Sequence, residues 1–320
     1  MQDPRLPTRT GVHAAAARIA PWVTRTPLLP FEHDGRRYWA KAECLQQGGA
    51  FKLRGATNRL LQLSEEERQN GVVAFSSGNH ARGVAIAARR LGIAAVIVMP
   101  ADAPAVKREA TAAEGAEIVA YDRLHEDRIA IAAAIAAERG SIVVPSFDDV
   151  DIIEGQGTVG IEIADQLGAA PPAVVVPCGG GGLSAGIALA LPGSDIVPVE
   201  PDGWDDMAHS LEGGGIVAVP TGAPATRLDA LQTPIVSPLT FGVLHERGAR
   251  GLAVTDGEAF AAMRFAFDHL RLVVEPGGGA GLGALLAGRI APPEGSVVIL
   301  SGGNVDPALY ASVLNGFARG

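Results

Sequence analysis

Lys52 is one of three lysines in a chain whose positive charge is otherwise carried by arginine, and it lies in Gly48-Gly49-Ala50-Phe51-Lys52-Leu53-Arg54-Gly55-Ala56. An arginine stays protonated, whereas a desolvated lysine amine loses its proton readily and can form a Schiff base with a carbonyl. The alternative for Lys52 is a solvated charge at a helix start. Three further segments carry the residue types of a binding site. Gly179, Gly180, Gly181 and Gly182 separate the apolar run Val174-Val175-Val176 from Leu183-Ser184-Ala185-Gly186-Ile187. A strand, a glycine turn and a helix start in that order let bare backbone N–H groups and the positive end of a helix converge on a phosphate; a flexible linker or tight turn is the alternative. Ser76-Ser77-Gly78-Asn79-His80 follows the run Val72 to Phe75. It offers hydroxyls, an amide and first-turn N–H groups to a carboxylate, or serves as an ordinary helix cap. Ser301-Gly302-Gly303-Asn304 ends the run Val297-Val298-Ile299-Leu300, either at the sheet edge where ligands collect or as a tight turn. Gly279-Ala280-Gly281-Leu282-Gly283-Ala284 also has the form G-x-G-x-x-A. Glu275 to Gly278 separate it from its apolar run, so close helix packing explains its glycines better than a dinucleotide does.

The elements that position these groups alternate between Val/Ile-rich runs and Ala-rich stretches of helical period. Strands are predicted at Val72 to Phe75, Ala95 to Met99, Glu117 to Ala120, Ser141 to Val144, Ala173 to Val176, Ile196 to Glu200 and Ser296 to Leu300. Helices are predicted at Asn79 to Leu91, Pro104 to Glu114, Glu126 to Arg139, Gly157 to Leu167 and Leu183 to Leu191. Strands apolar on both faces belong in a parallel sheet covered by helices on both sides, so the class is α/β. Residues 65–149 hold four strand–helix units and can close as a smaller domain, with 1–64 and 150–320 forming a larger one and a ligand cleft between them.

The 320 residues include 48% hydrophobic side chains, enough for a large core. A net charge of −9 argues against nucleic acid or an anionic membrane surface as partner. Cys44 and Cys178 are far apart, which implies neither a disulfide framework nor a zinc site and suits a reducing cytoplasm. The N-terminus has no basic-then-apolar leader and no apolar run reaches membrane-spanning length, so a soluble enzyme of a small molecule is expected.

Taken together and in this order, Phe51-Lys52-Leu53-Arg54-Gly55-Ala56, Ser76-Ser77-Gly78-Asn79-His80, Gly179 to Gly182 and Ser301-Gly302-Gly303-Asn304 resemble the threonine dehydratase and serine racemase family of pyridoxal-phosphate enzymes, with 3-hydroxyaspartate dehydratase a near relative. The resemblance runs from Arg25 to Asp306. It implies a two-domain tryptophan-synthase-β-like fold with the smaller domain inserted in the larger, and a homodimer. Pyridoxal 5′-phosphate is implied on Lys52 as its Schiff-base residue, with Gly179 to Gly182 at the phosphate, Asn79 at the pyridoxal oxygen and Ser301 at the pyridine nitrogen. A neutral serine there leaves the ring a weaker electron sink and favours β-elimination. The substrate carboxylate is implied on Ser76, Ser77, Asn79 and His80, with Lys52 the base at Cα.

The expected activity is dehydration of L-threonine or L-serine to a 2-oxo acid and ammonia, with 3-hydroxyaspartate dehydratase or serine racemase as alternatives. Ser77, where plain threonine dehydratases carry alanine, could return a proton on the opposite face or be a spectator. Glu200, the carbonyl of Trp204 and Asp206 resemble the family's cation loop for Mg²⁺, or for Ca²⁺ or Mn²⁺; a solvated acidic loop is the alternative. The chain departs from the pattern at Ala50, in place of serine, and at Arg82, in place of glutamine. Arg128, in His125-Glu126-Asp127-Arg128, falls near a carboxylate-contacting arginine of serine racemase. Arg82 and Arg128 would suit a dicarboxylic substrate, or are solvated helix charges. The chain ends soon after Asp306, so no C-terminal regulatory domain is expected.

Overall fold

A computed structural model describes residues 5–76, 78–103 and 105–316, and among these ten strands form two sheets. In chain order they are β1 (Leu28–His33), β2 (Arg36–Lys41), β3 (Val72–Phe75), β4 (Ala95–Pro100), β5 (Glu117–Tyr121), β6 (Ile142–Val143), β7 (Ala173–Pro177), β8 (Asp195–Pro201), β9 (Leu252–Val254) and β10 (Val297–Ile299). The larger sheet has the order β1-β2-β10-β7-β8-β9, and the smaller β5-β4-β3-β6. Every pairing is parallel except β1 with β2.

The α/β reading rests on strands buried on both faces, and side-chain alternation shows why they can be. Val175 and Val298 enter a core under one face of the larger sheet, while Val174, Val176, Val297 and Ile299 enter another core with Leu183 and Ile187. The smaller sheet divides in the same way, with Val72, Ala74 and Ile97 on one side and Val73, Val96 and Val98 on the other. Seven strands lie where the sequence predicts them, within one or two residues at each end. The sequence reading omitted β1, β2 and β9. The signal for the first two was Asp34-Gly35, whose φ values of 48° and 70° are those of a two-residue hairpin turn. The helix expected from Gly157 begins seven residues earlier, at Val150, where the Asp149 side chain accepts from the N–H of Ile152.

Helix Lys52–Leu61 is held by a buried charge cluster. The Arg54 guanidinium donates to Glu43 through Nε and Nη2, both at 2.8 Å, and to Glu162 through Nη1 and Nη2 at 2.7 and 2.9 Å. Lys41 Nζ adds bonds to Glu162 at 2.6 Å, Gln166 at 3.0 Å and the Thr26 carbonyl at 2.8 Å. Two cations and two carboxylates are thus paired, with β2 and helix Val150–Leu167 tied to the start of the Lys52 helix.

Candidate active site

A cleft of about 1060 Å³ lies at the carboxyl ends of both sheets, lined by residues that follow β3, β6, β7 and β10. Lys52 is at its floor. The segment before it is fastened to the end of β10: Ala50 bridges Gly302, the Phe51 N–H donates to the Ser301 carbonyl at 3.1 Å, and the Gly303 N–H donates to the Gly49 carbonyl at 2.8 Å. Gly83 lets the next helix, Asn79–Leu91, lie against the same point, since a Cβ there would stand 3.1 Å from the backbone of Lys52 and Leu53. Lys52 and Ser301 are therefore neighbours because backbone pairs them, and Asn79 joins them because a glycine permits it.

The Lys52 amine donates to the Ser146 carbonyl at 2.8 Å and has no carboxylate partner among the described residues. Part of its side chain is open to the cleft, but protein surrounds the amine and burial lowers its pKa to about 8. A neutral amine is thus accessible at ordinary pH, which is what a Schiff-base lysine requires.

The four glycines enclose a space with no room for side chains. A Cβ on Gly179 would meet Thr233 Oγ1 at 2.9 Å, one on Gly180 would overlap the Phe147 ring, and one on Gly182 would meet Phe147 Cβ at 3.1 Å. Gly181 has φ +83°, a conformation that favours glycine, and a Cβ there would meet Met207 at 2.6 Å. Helix Gly182–Ala190 starts from this turn, so its first N–H groups face the loop without intrahelical acceptors. This cradle, facing a desolvated lysine, fits a phosphate-bearing aldehyde such as pyridoxal phosphate.

Ser76, Asn79, His80, Arg128 and Ser301 also line the cleft, while Ser77 lies outside the described residues. Ser76 Oγ accepts from the Gly78 N–H at 3.2 Å. His80 is buried, and its ring N–H at Nε2 donates to the Val144 carbonyl at 2.9 Å. Burial and the nearby Lys52 charge hold its pKa down to about 3, so its side chain brings no positive charge to a carboxylate. The two arginines differ. Arg128 lies 5.8 Å from the Phe75 ring centre, in the same cleft as Ser76, whereas Arg82 Nη1 donates to Asn304 Oδ1 at 3.1 Å.

Glu200 and Asp206 are brought together at the end of β8, both buried. Glu200 accepts from the N–H groups of Met207 and Ala208 at 3.1 and 2.8 Å. Both Asp206 carboxylate oxygens are buried with no side-chain partner among the described residues, and only the nearby backbone N–H groups of Val236 and of Asp206 itself ease their charge. Burial pushes Glu200 well above the usual carboxylate range and Asp206 up to about 6. The described residues contain no group of three or more His, Cys, Asp or Glu side chains arranged for a metal. Two carboxylates with unmet acceptor capacity, completed by a carbonyl and water, still fit a hard cation. Trp204 sits in the connecting loop, its indole N–H donating to the Pro224 carbonyl at 2.8 Å.

Three cleft residues were not found from sequence: Ser146, Phe147 and Glu275. Phe147 packs over the glycine turn, and Glu275 accepts from Asn79 Nδ2 at 2.6 Å across 196 residues of chain. No local spacing encodes either contact. The alternative dinucleotide segment is explained by packing, since Cβ atoms on Gly279, Gly281 and Gly283 would meet Ala262, Val175 and Glu258 at 3.3, 3.1 and 2.8 Å.

The chain belongs to the pyridoxal-phosphate dependent enzymes, whose family model matches residues 19–302. Within that class its relatives are amino-acid ammonia-lyases and racemases. It is 42% identical to the L-threo-3-hydroxyaspartate ammonia-lyase of Saccharomyces cerevisiae, over 97% of each chain. It is 37% identical to the serine racemase of Schizosaccharomyces pombe, over 97% of this chain and 98% of the relative. The structure of maize serine racemase superimposes with a TM-score of 0.91 at 35% identity, over 97% of this chain and 98% of that one. The fold is accordingly the α/β, tryptophan-synthase-β-like arrangement of mostly parallel sheets flanked by helices. No helix of the described residues is long and apolar enough to cross a membrane.

Proposed function

We propose that this protein is a pyridoxal-phosphate-dependent ammonia-lyase of β-hydroxy amino acids, and that 3-hydroxyaspartate is a better substrate than L-serine or L-threonine. The observation that carries the preference is Arg128. Its guanidinium stands over the ring of Phe75, the residue before the turn proposed for the α-carboxylate, lines the same cleft, and has no carboxylate partner among the described residues. A second carboxylate on the substrate would meet it. The 42% identity to a hydroxyaspartate ammonia-lyase supports the same reading.

In this proposal Gly179 to Gly182 would hold the phosphate, Lys52 would lie at the aldehyde, Asn79 would face the pyridoxal oxygen and Ser301 the ring nitrogen. The bound cofactor supplies electron withdrawal from Cα. Ser76, Ser77 and the first N–H groups of helix Asn79–Leu91 hold the α-carboxylate, and Arg128 holds the distal one. Lys52 Nζ, once free, takes the Cα proton; its lowered pKa keeps the base form available at neutral pH. The β-hydroxyl leaves as water, and hydrolysis yields the 2-oxo acid and ammonia. Glu200, Asp206 and the Trp204 carbonyl hold a divalent cation that neutralises the two buried carboxylates. Serine racemisation is the second reading, supported by the maize likeness and by the second serine of the turn, Ser77.

Ammonia release from L-serine, L-threonine and the threo and erythro hydroxyaspartates tests the substrate. Arg128→Ala is expected to raise KM for hydroxyaspartate by about 10- to 100-fold, the range for losing a charge-assisted contact, and to leave L-serine within about twofold. An equal effect on both substrates overturns the assignment. Lys52→Ala is expected to lose the visible cofactor band and all turnover. Ser77→Ala should remove any D-serine formation while L-serine elimination persists.

A further inference from the structure

We infer that Arg82 is a positioning residue that, with the Gly48 carbonyl, fixes which end of the Asn79 amide faces the cleft. Four cleft-lining side chains form one chain of hydrogen bonds. Arg82 Nη1 donates to Asn304 Oδ1 at 3.1 Å. Asn304 Nδ2 donates to the Gly48 carbonyl and to Asn79 Oδ1, both at 2.8 Å. Asn79 Nδ2 then donates to Glu275 Oε1 at 2.6 Å.

An amide can present either its oxygen or its nitrogen to a neighbour, so the order of such a chain depends on members that cannot reverse. A guanidinium only donates, which turns the Asn304 oxygen towards Arg82. A carbonyl only accepts, so Gly48 holds the Asn304 nitrogen on the other side. That nitrogen in turn meets the Asn79 oxygen, and the Asn79 NH₂ is left pointing along the wall to Glu275. The glutamine that the family resemblance places at this position could offer Asn304 either an oxygen or a nitrogen. Arginine removes that freedom. The Arg82 Nε is buried without a partner among the described residues, so the side chain is held by packing and by this bond, not by an acid. A group bound against Asn79 therefore meets a fixed donor.

The inference rests on the proposed cofactor, whose 3-oxygen is the acceptor that this donor suits. Arg82→Met removes the donor-only end. Asn304→Asp, made together with Glu275→Gln, is the sharper variant: the new carboxylate accepts from Arg82 but cannot donate to Asn79, while the glutamine can donate to the Asn79 oxygen, so Asn79 is driven to turn its NH₂ towards residue 304.

The full-length chain is titrated with pyridoxal 5′-phosphate and with its 3-deoxy analogue, which keeps the aldehyde and the phosphate, and uptake is followed by absorbance. The wild type is expected to prefer the natural compound by about tenfold, the scale of one hydrogen bond to a charged oxygen. Arg82→Met should reduce that preference about threefold and Asn304→Asp with Glu275→Gln should abolish it, with affinity for the analogue unchanged in both. Preference retained in both variants, or equal loss for both compounds, overturns the inference and leaves the cofactor assignment intact. A wild type that takes up neither compound overturns the proposed function and this inference with it.

Discussion

The protein buries charge in two places and completes it differently. Around Arg54, two carboxylates meet two cations in short bonds, and Glu43 and Arg54 are fully shielded from solvent. Around Glu200 and Asp206, two carboxylates approach each other with only backbone N–H groups as hydrogen-bonding neighbours among the described residues. Their pKa values register the contrast. Burial lifts Glu200 and Asp206, whereas at Glu162 the bonds and charges of Arg54 and Lys41 outweigh burial and lower it. A compensated cluster ties elements together, and an uncompensated one calls for a charge from outside.

Arg54→Met tests the first half most severely. It leaves Glu43 and half of Glu162 without a counter-charge and is expected to cost about 3–5 kcal/mol in urea unfolding; a loss below about 1 kcal/mol would remove the distinction between the clusters. The second half is tested by adding Mg²⁺, Ca²⁺ or Mn²⁺. At a hundred times its dissociation constant, a cation bound only by the folded form adds about 2.7 kcal/mol. No rise in Tm with any of the three would count against the cation reading. Asp206→Asn should abolish that response and, without cation at neutral pH, should not destabilise the fold, because it removes a buried charge that nothing compensates.

The last test is of pH. Asp206 has a folded-state pKa of about 6 against an ordinary 3.8, so its stabilising contribution is present below 3.8 and is lost as pH rises through 6. In cation-free protein the associated slope is at most ~1.4 kcal/mol per pH unit. Saturating cation at neutral pH, or Asp206→Asn, should flatten it.

Local motifs were legible where a function needs consecutive residues. The strand, glycine turn and helix around Gly179 to Gly182 could be read because backbone alone builds that turn, and Ser301 was visible as the end of an apolar strand. What was hidden depends on side chains meeting across long stretches of chain. Ser146 receives the Lys52 amine from 94 residues away, and Phe147 fills the space that makes Gly180 necessary. His80 looked like a carboxylate contact by its place in a helix-start turn, but its neutral state follows from burial that no spacing reveals. β1 and β2 were overlooked because arginines and a proline dilute their pattern, although the Asp34-Gly35 turn between them was in plain view.

One strand of the larger sheet has a consequence for synthesis. β10 is the last strand in the chain but lies between β2 and β7. While the protein emerges from the ribosome, β2 and β7 each wait with a bare hydrogen-bonding edge, and the sheet cannot close until residues 297–299 are free. The same event delivers Ser301 and Asn304 to Lys52 and Asn79, so these groups come together only after residues 297–304 have emerged. A nascent chain stalled before Val297 would hold two open, apolar strand edges in place of a site, a species prone to aggregation and a natural client of chaperones.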